Sequence, residues 1–201
     1  MIRVLLAEDQ AMVRGALASL LSLEPDIEVV AQVDRGDAAV AAAAEHRPDI
    51  ALLDIEMPGM SGLEATPLIC ARDSRIRILI LTTFSRPGYL RRALQAGASG
   101  FLLKDTPAEQ LARAIRRVYA GERVVDPGLA AAALAAAECP LTAREREILA
   151  ATRAYTTVAE LAAALHLSPG TVRNHVSSAL QKLGARNRNE ALRIAEEQGW
   201  L

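Results

Sequence analysis

Aromatic side chains are scarce in this sequence: two Phe, three Tyr and one Trp among 201 residues. Any core must therefore be aliphatic, built from Leu, Ile, Val and Ala. Cysteine is as rare, and Cys70 and Cys139 stand far apart with no CxxC or Cys/His spacing. That argues against both a disulfide framework and a zinc site. No apolar run is long enough to span a bilayer. At the N-terminus, Arg3 and Val4-Leu5-Leu6-Ala7 lead straight into Glu8-Asp9, too short and too acidic for a signal peptide. A cytosolic location without direct membrane binding is expected. Charge of one sign is lacking as well, the formal net charge being -1. Split along the chain, however, it is uneven: residues 168 to 193 hold Arg173, Lys182, Arg186, Arg188 and Arg193 against the single acid Glu190. Taken alone, such a patch is more often a solvated face than a binding surface.

What is present is a strong alternation. Short aliphatic runs at 2 to 9, 28 to 33, 49 to 55, 77 to 84 and 100 to 105 are separated by segments near 11 to 22, 37 to 45, 62 to 71, 87 to 96 and 108 to 120. The separating segments have the length and Ala/Leu spacing of amphipathic helices. Strands of nearly continuous apolar character alternating with helices predict a five-stranded parallel sheet covered on both faces, a doubly wound α/β domain over 1–120. Gly121, Pro127, Gly128 and Pro140 punctuate a linker over 121–140, with a weak Ala-rich helix at 130 to 137. Only helix signals follow, opening with Thr142 and Glu145 at capping-box spacing. A small all-helical domain over 141–201 is expected, near the lower size limit for folding without staples.

In open parallel sheets, ligands bind outside the carboxyl ends of the strands. Glu8 and Asp9 end the first predicted strand, Asp54 the third, Thr82 the fourth and Lys104 the fifth. Crowded carboxylates stay ionised only with a cation beside them, and oxygen ligands suit Mg²⁺. Asp54 then has the setting of a nucleophile toward a phosphoryl group, with Lys104 neutralising one oxygen and Thr82 donating to another. Singly, each residue has a plainer reading: Asp9 as a helix cap, Asp54 as a loop acid before Pro58-Gly59, Thr82 as a strand-end hydroxyl, Lys104 as surface charge. Their joint placement favours the site.

AED at 7 to 9, LLDIEMPGMSGLE at 52 to 64, LTTF at 81 to 84 and GFLLKD at 100 to 105 resemble the signature blocks of receiver domains, across the whole of 1–120. The resemblance implies a flavodoxin-like fold and Asp54 as phosphoacceptor. It implies that Glu8, Asp9, Asp54 and the backbone carbonyl of Glu56 hold Mg²⁺, and that Lys104 contacts the phosphoryl group. Thr82 and Phe101 would be the switch pair, although Phe101 is equally a core aromatic. Two positions depart from the common pattern: Glu8 stands where many members have Asp, and Phe84 lies two residues after Thr82. A bulky Phe84 is expected to hinder an attacking water and lengthen the phosphoryl lifetime.

In the second half, Leu161, Ala162 and Leu165 form the stripe of one helix. A turn through His166 to Pro169 follows, with Ser168 as cap, and then Val172, Val176, Ala179, Leu180 and Leu183 mark the buried face of a second helix. LTARERE at 141 to 147, VAELAAALHLS at 158 to 168 and PGTVRNHVSSALQKLGARNRNEAL at 169 to 192 resemble the helix-turn-helix of the NarL/FixJ (LuxR-type) class. Arg173, Asn174 and Ser177 are the candidates for base contact; Thr171, Lys182, Arg186 and Arg188 are read as phosphate contacts. Docking onto protein is the alternative for an all-helical basic unit.

The two halves together look like a two-component response regulator: a sensor histidine kinase as phosphodonor, promoter DNA as target, a homodimer on phosphorylation, and RNA polymerase as a further partner. LTTFSRPGYLRRALQAG, EDQ at 8 to 10 and the ending EQGWL resemble the subgroup that controls a fatty-acid desaturase gene under a fluidity-sensing membrane kinase. A phosphotransferase or phosphatase built on Asp54 and Glu56 is the enzyme alternative, but Met57-Pro58 does not continue a DxD pattern. The chain is therefore expected not to be an enzyme beyond its own phosphoryl transfer and slow dephosphorylation. A receiver that answers to a ligand and never takes phosphate is a third alternative, against which Asp54, Thr82 and Lys104 together stand.

Overall fold

A computed structural model describes residues 1–83, 87–135 and 139–201. The chain divides into two compact units, the first drawn mainly from 1–131 and the second mainly from 132–201; each is described by itself.

The first unit is built on a parallel sheet whose strands are β1 (Ile2–Ala7), β2 (Ile27–Val33), β3 (Ile50–Leu53), β4 (Arg77–Thr82), β5 (Gly100–Leu103) and β6 (Val124–Val125). They lie in the order β2-β1-β3-β4-β5-β6. The connecting helices are α1 (Ala11–Ser22), α2 (Gly36–His46), α3 (Gly62–Arg72), α4 (Pro87–Ala96) and α5 (Ala108–Tyr119), with α6 (Pro127–Ala135) after β6. Every residue of β3 is buried, and of β4 all but Arg77, because helices cover both faces of a parallel sheet. Leu52, Leu79, Leu81 and Leu102 pack against Leu111, Ile115 and Val118 of α5 in one aliphatic cluster.

The sheet has one strand more than the five read from the sequence. Val124 and Val125 fall in the stretch expected to be linker, and two residues carry no periodicity to reveal them. What makes them a strand is the neighbour: Gly100 pairs with Val124 and Phe101 with Val125. Gly100 permits the approach, since a Cβ there would stand 3.0 Å from the Val124 carbonyl oxygen and crowd the Leu79 side chain.

Strand register places the site. Ala7 is level with Leu53, Leu53 with Ile80, and Thr82 with Leu103. The ladder runs one step further: the Asp54 N–H donates to the Ala7 carbonyl at 2.9 Å and the Lys104 N–H to the Thr82 carbonyl at 2.9 Å. Asp54 and Lys104 are thus held by sheet hydrogen bonds although neither lies within a strand.

The second unit contains α7 (Ala143–Ala151), α8 (Val158–Ala164), α9 (Pro169–Leu183) and α10 (Arg188–Glu197). Each helix begins on a side-chain cap: Thr142, Thr157, Ser168 and Asn187. Thr142 with Glu145 and Thr157 with Glu160 close full capping boxes, satisfying two orphan donors each. α9 opens with Pro169 and ends at Gly184 in the left-handed region (φ 62°), the asymmetry that costs a helix least. Val172 packs with Ile148, Leu161 and Ala162, while Ala179 packs with Leu149, Ala191 and Ala195. Small residues at the second contact let α9 and α10 approach closely.

Candidate functional site

At the carboxyl edge of the sheet, Lys104 Nζ lies 2.6 Å from Glu8 Oε2 and 3.0 Å from Asp54 Oδ2. Asp54 Oδ1 accepts the Ile55 N–H at 2.7 Å, and Glu8 Oε1 accepts the Gln10 N–H at 3.2 Å. Glu8 and Asp54 are buried at 1% and 5% exposure, whereas Asp9 is exposed. One carboxylate oxygen from each of Glu8, Asp9 and Asp54 lies within 4.8 Å of the others. Three oxygen donors at that spacing, open to solvent on the Asp9 side, fit a hard divalent cation. Glu8 also meets α1: the guanidinium of Arg14 donates to the Glu8 backbone carbonyl at 2.6 Å.

Burial sets the electrostatics. Desolvation pushes the carboxyl groups of Glu8 and Asp54 above their ordinary range despite the ammonium between them. Burial also works against the charge on Lys104, but its bonds to the two acids prevail and hold the ammonium more tightly protonated than usual. Two acids against one lysine leave the pocket short of positive charge.

Thr82 and Phe101 are fully buried, on adjacent strands β4 and β5. Glu56 is exposed beside the pocket. Together with Asp9 it lines a cleft of about 510 Å³ that also takes in Met57, Leu63, Tyr89 and Arg92. Tyr89 and Arg92 on α4 had no signal in the sequence, because a helical residue four or more places past a strand end shows no periodic sign of facing a cleft. Phe84 lies outside the described residues.

In the second unit, Arg173, Asn174 and Ser177 are exposed on α9, as is Arg186 beyond it. Thr171 is partly covered, its hydroxyl 2.8 Å from the Ser168 cap. Lys182 and Arg188 are engaged by the protein. Lys182 Nζ sits 2.9 and 2.7 Å from the two oxygens of Glu145, and Arg188 donates to the Thr156 carbonyl at 2.7 Å. Glu145, read only as a capping acid, is 3% exposed and also accepts from the Ser178 hydroxyl at 2.6 Å. Nothing in the local sequence marks a pairing across 37 residues.

Residues 4–116 match the response regulator receiver domain, and residues 139–195 match the bacterial regulatory proteins of the luxR family. The chain belongs to the LuxR-type response regulators. Over its full length this response regulator is 47% identical to the uncharacterized transcriptional regulatory protein YvfU and 46% identical to the transcriptional regulatory protein DesR, both of Bacillus subtilis strain 168, with all of each relative covered. The crystal structure of the response regulator ChrA from a heme-sensing two-component system aligns over 100% of this chain and 98% of that one, with 34% identity and a TM-score of 0.59. The likeness to DesR is therefore found, but YvfU is as near, so it indicates no target gene. A receiver joined to a LuxR-type domain makes the chain a regulator of transcription.

Proposed function

We propose that a sensor histidine kinase phosphorylates this regulator on Asp54, and that the phosphorylated chain pairs and binds promoter DNA. The observation that carries the reading is the Lys104 ammonium bridging Glu8 and Asp54 beside the third carboxylate, Asp9. A carboxylate oxygen of Asp54 attacks phosphorus in the kinase phosphohistidine; the P–O bond forms as the P–N bond breaks, and its electron pair leaves with the imidazole. Lys104 exchanges its carboxylate partner for a phosphoryl oxygen, and the Thr82 hydroxyl turns to another. Glu8, Asp9, Asp54 and the Glu56 carbonyl would hold Mg²⁺, which when bound neutralises charge on the phosphoryl oxygens.

The same chemistry supplies the switch, since drawing Thr82 inward vacates space for the Phe101 ring. The receiver takes 1–120 together with β6, which lies in the 121–140 stretch read as linker but pairs with β5, and the DNA-binding domain takes 141–201. Arg173, Asn174 and Ser177 read base edges, while Thr171, Arg186 and, to the extent that their protein partners release them, Lys182 and Arg188 contact phosphates. Two such domains on paired half-sites bind far better than one, because the second contact is intramolecular. RNA polymerase is the partner such a promoter-bound dimer would meet, and the cytoplasm is where it would act.

Mobility shift on the chain's own upstream DNA, with and without Mg²⁺ and beryllofluoride, tests the reading. Tighter binding is expected for wild type and no response for Asp54→Ala. A wild type indifferent to beryllofluoride, or a response that survives in Asp54→Ala, refutes it.

A further inference from the structure

α1 breaks the local rules for a helix start. Its N-cap, Gln10, makes no side-chain capping bond, and its first turn contains no acid. It contains instead the cation Arg14, at the end of the helix where the macrodipole disfavours positive charge. Departures of this kind concentrate where function requires them. Helical side chains lean toward the N-terminus, so Arg14 reaches back over its own turn. Its N–H donates to the Gln10 carbonyl at 2.9 Å while its guanidinium takes the Glu8 carbonyl at 2.6 Å.

That carbonyl belongs to the peptide joining Glu8 to Asp9. On the strand side the Glu8 N–H is held by the Val33 carbonyl at 3.0 Å, and its side chain by Lys104 and the Gln10 N–H. The Glu8–Asp9 peptide plane, which aims the Asp9 side chain, has its carbonyl end held by Arg14. We propose that Arg14 is a positioning residue for the divalent-cation site, fixing this peptide so that exposed Asp9 converges on Glu8 and Asp54. The inference rests on the reading that those three acids hold a cation.

Binding of Mn²⁺ alone to the full-length protein, followed by titration calorimetry, tests it in wild type, Asp9→Asn, Arg14→Met and Arg14→Lys. Methionine keeps much of the apolar stem and removes the donor; lysine restores one. Loss of an outer hydrogen bond to a metal ligand typically weakens binding about 10- to 100-fold. Arg14→Met is expected to bind Mn²⁺ about 10-fold more weakly with an unchanged melting temperature, and Arg14→Lys to return within about threefold of wild type. Lysine rescue separates positioning from packing, since both variants bury a similar stem. Wild-type affinity in Arg14→Met, or no recovery with lysine, would overturn the role of Arg14. Absence of Asp9-dependent Mn²⁺ binding in wild type would instead remove the cation reading beneath it.

Discussion

Replacing Glu145 by Gln strikes a buried acid that ties α7 to α9. Glu145 Oε1 accepts from Ser178 and Lys182, and Oε2 from the Thr142 N–H at 2.7 Å and Lys182. Gln has one oxygen, so whichever way the amide turns, its NH₂ faces a donor. Lost bonds to a charged partner contribute about 1.5–3 kcal/mol and a stranded buried donor about 1–3 kcal/mol. Lys182 is 34% exposed and recovers some hydration, so we take roughly 3 kcal/mol, the low end for breaking a buried pair. Trp200, the single tryptophan, packs in the cluster with Leu141, Leu149 and Ala179, and its fluorescence reports this unit. With a urea slope of about 1 kcal/mol/M for so small a domain, the Trp200 midpoint should fall by about 3 M. pH gives an independent arm. Burial alone would raise the Glu145 carboxyl, but Lys182, Ser178 and Thr142 outweigh it and hold the group down from 4.5 to about 2. A depressed carboxylate stabilises the fold above its unfolded value, and that stability is lost as pH falls from about 4.5 toward 2. Wild type should therefore lose up to roughly 3 kcal/mol across this window that Glu145→Gln does not. A midpoint shift under about 0.5 M, or equal acid sensitivity in the two proteins, would refute the reasoning.

Lys104→Ala should slow acetyl-phosphate labelling of Asp54 about 100-fold or more, as removal of a preorganised charge from a reacting oxygen does; an unchanged labelling rate on phosphate-affinity gels counts against its role. Gly62→Ala would drive a Cβ into the Asp54 carbonyl oxygen, a backbone atom that cannot rotate away. It should lower the receiver melting temperature by the equivalent of about 1–3 kcal/mol, and a melt matching wild type would show that the loop after β3 yields. For DNA, Arg173→Ala should cost about 1–3 kcal/mol and relax specificity, whereas Arg186→Ala should weaken all sequences and reduce the salt slope by about 1. Fluorescence anisotropy across a salt series separates the two, and identical slopes would remove Arg186 from the phosphate contacts.

Five of the six strands, and the chemistry at their ends, are legible in local pattern. Continuous apolar runs marked the five longer strands, helical spacing marked the connecting helices, and Thr142 with Glu145 announced a capping box that is present. These are short-range signals: side chains a few residues apart share a face, so the pattern is written locally. What meets across distance follows from the folded chain. Register along β1, β3, β4 and β5 levelled Ala7 with Leu53, Leu53 with Ile80 and Thr82 with Leu103, bringing Glu8 and Asp54 onto the Lys104 ammonium. The Val124–Val125 strand forms by pairing with β5, where Gly100 leaves room for its approach, and Lys182, basic and well placed for DNA in the sequence, proves bound to a buried acid 37 residues away. Sheet order and helix packing depend on the summed burial of many side chains, and no window of neighbouring residues contains that sum.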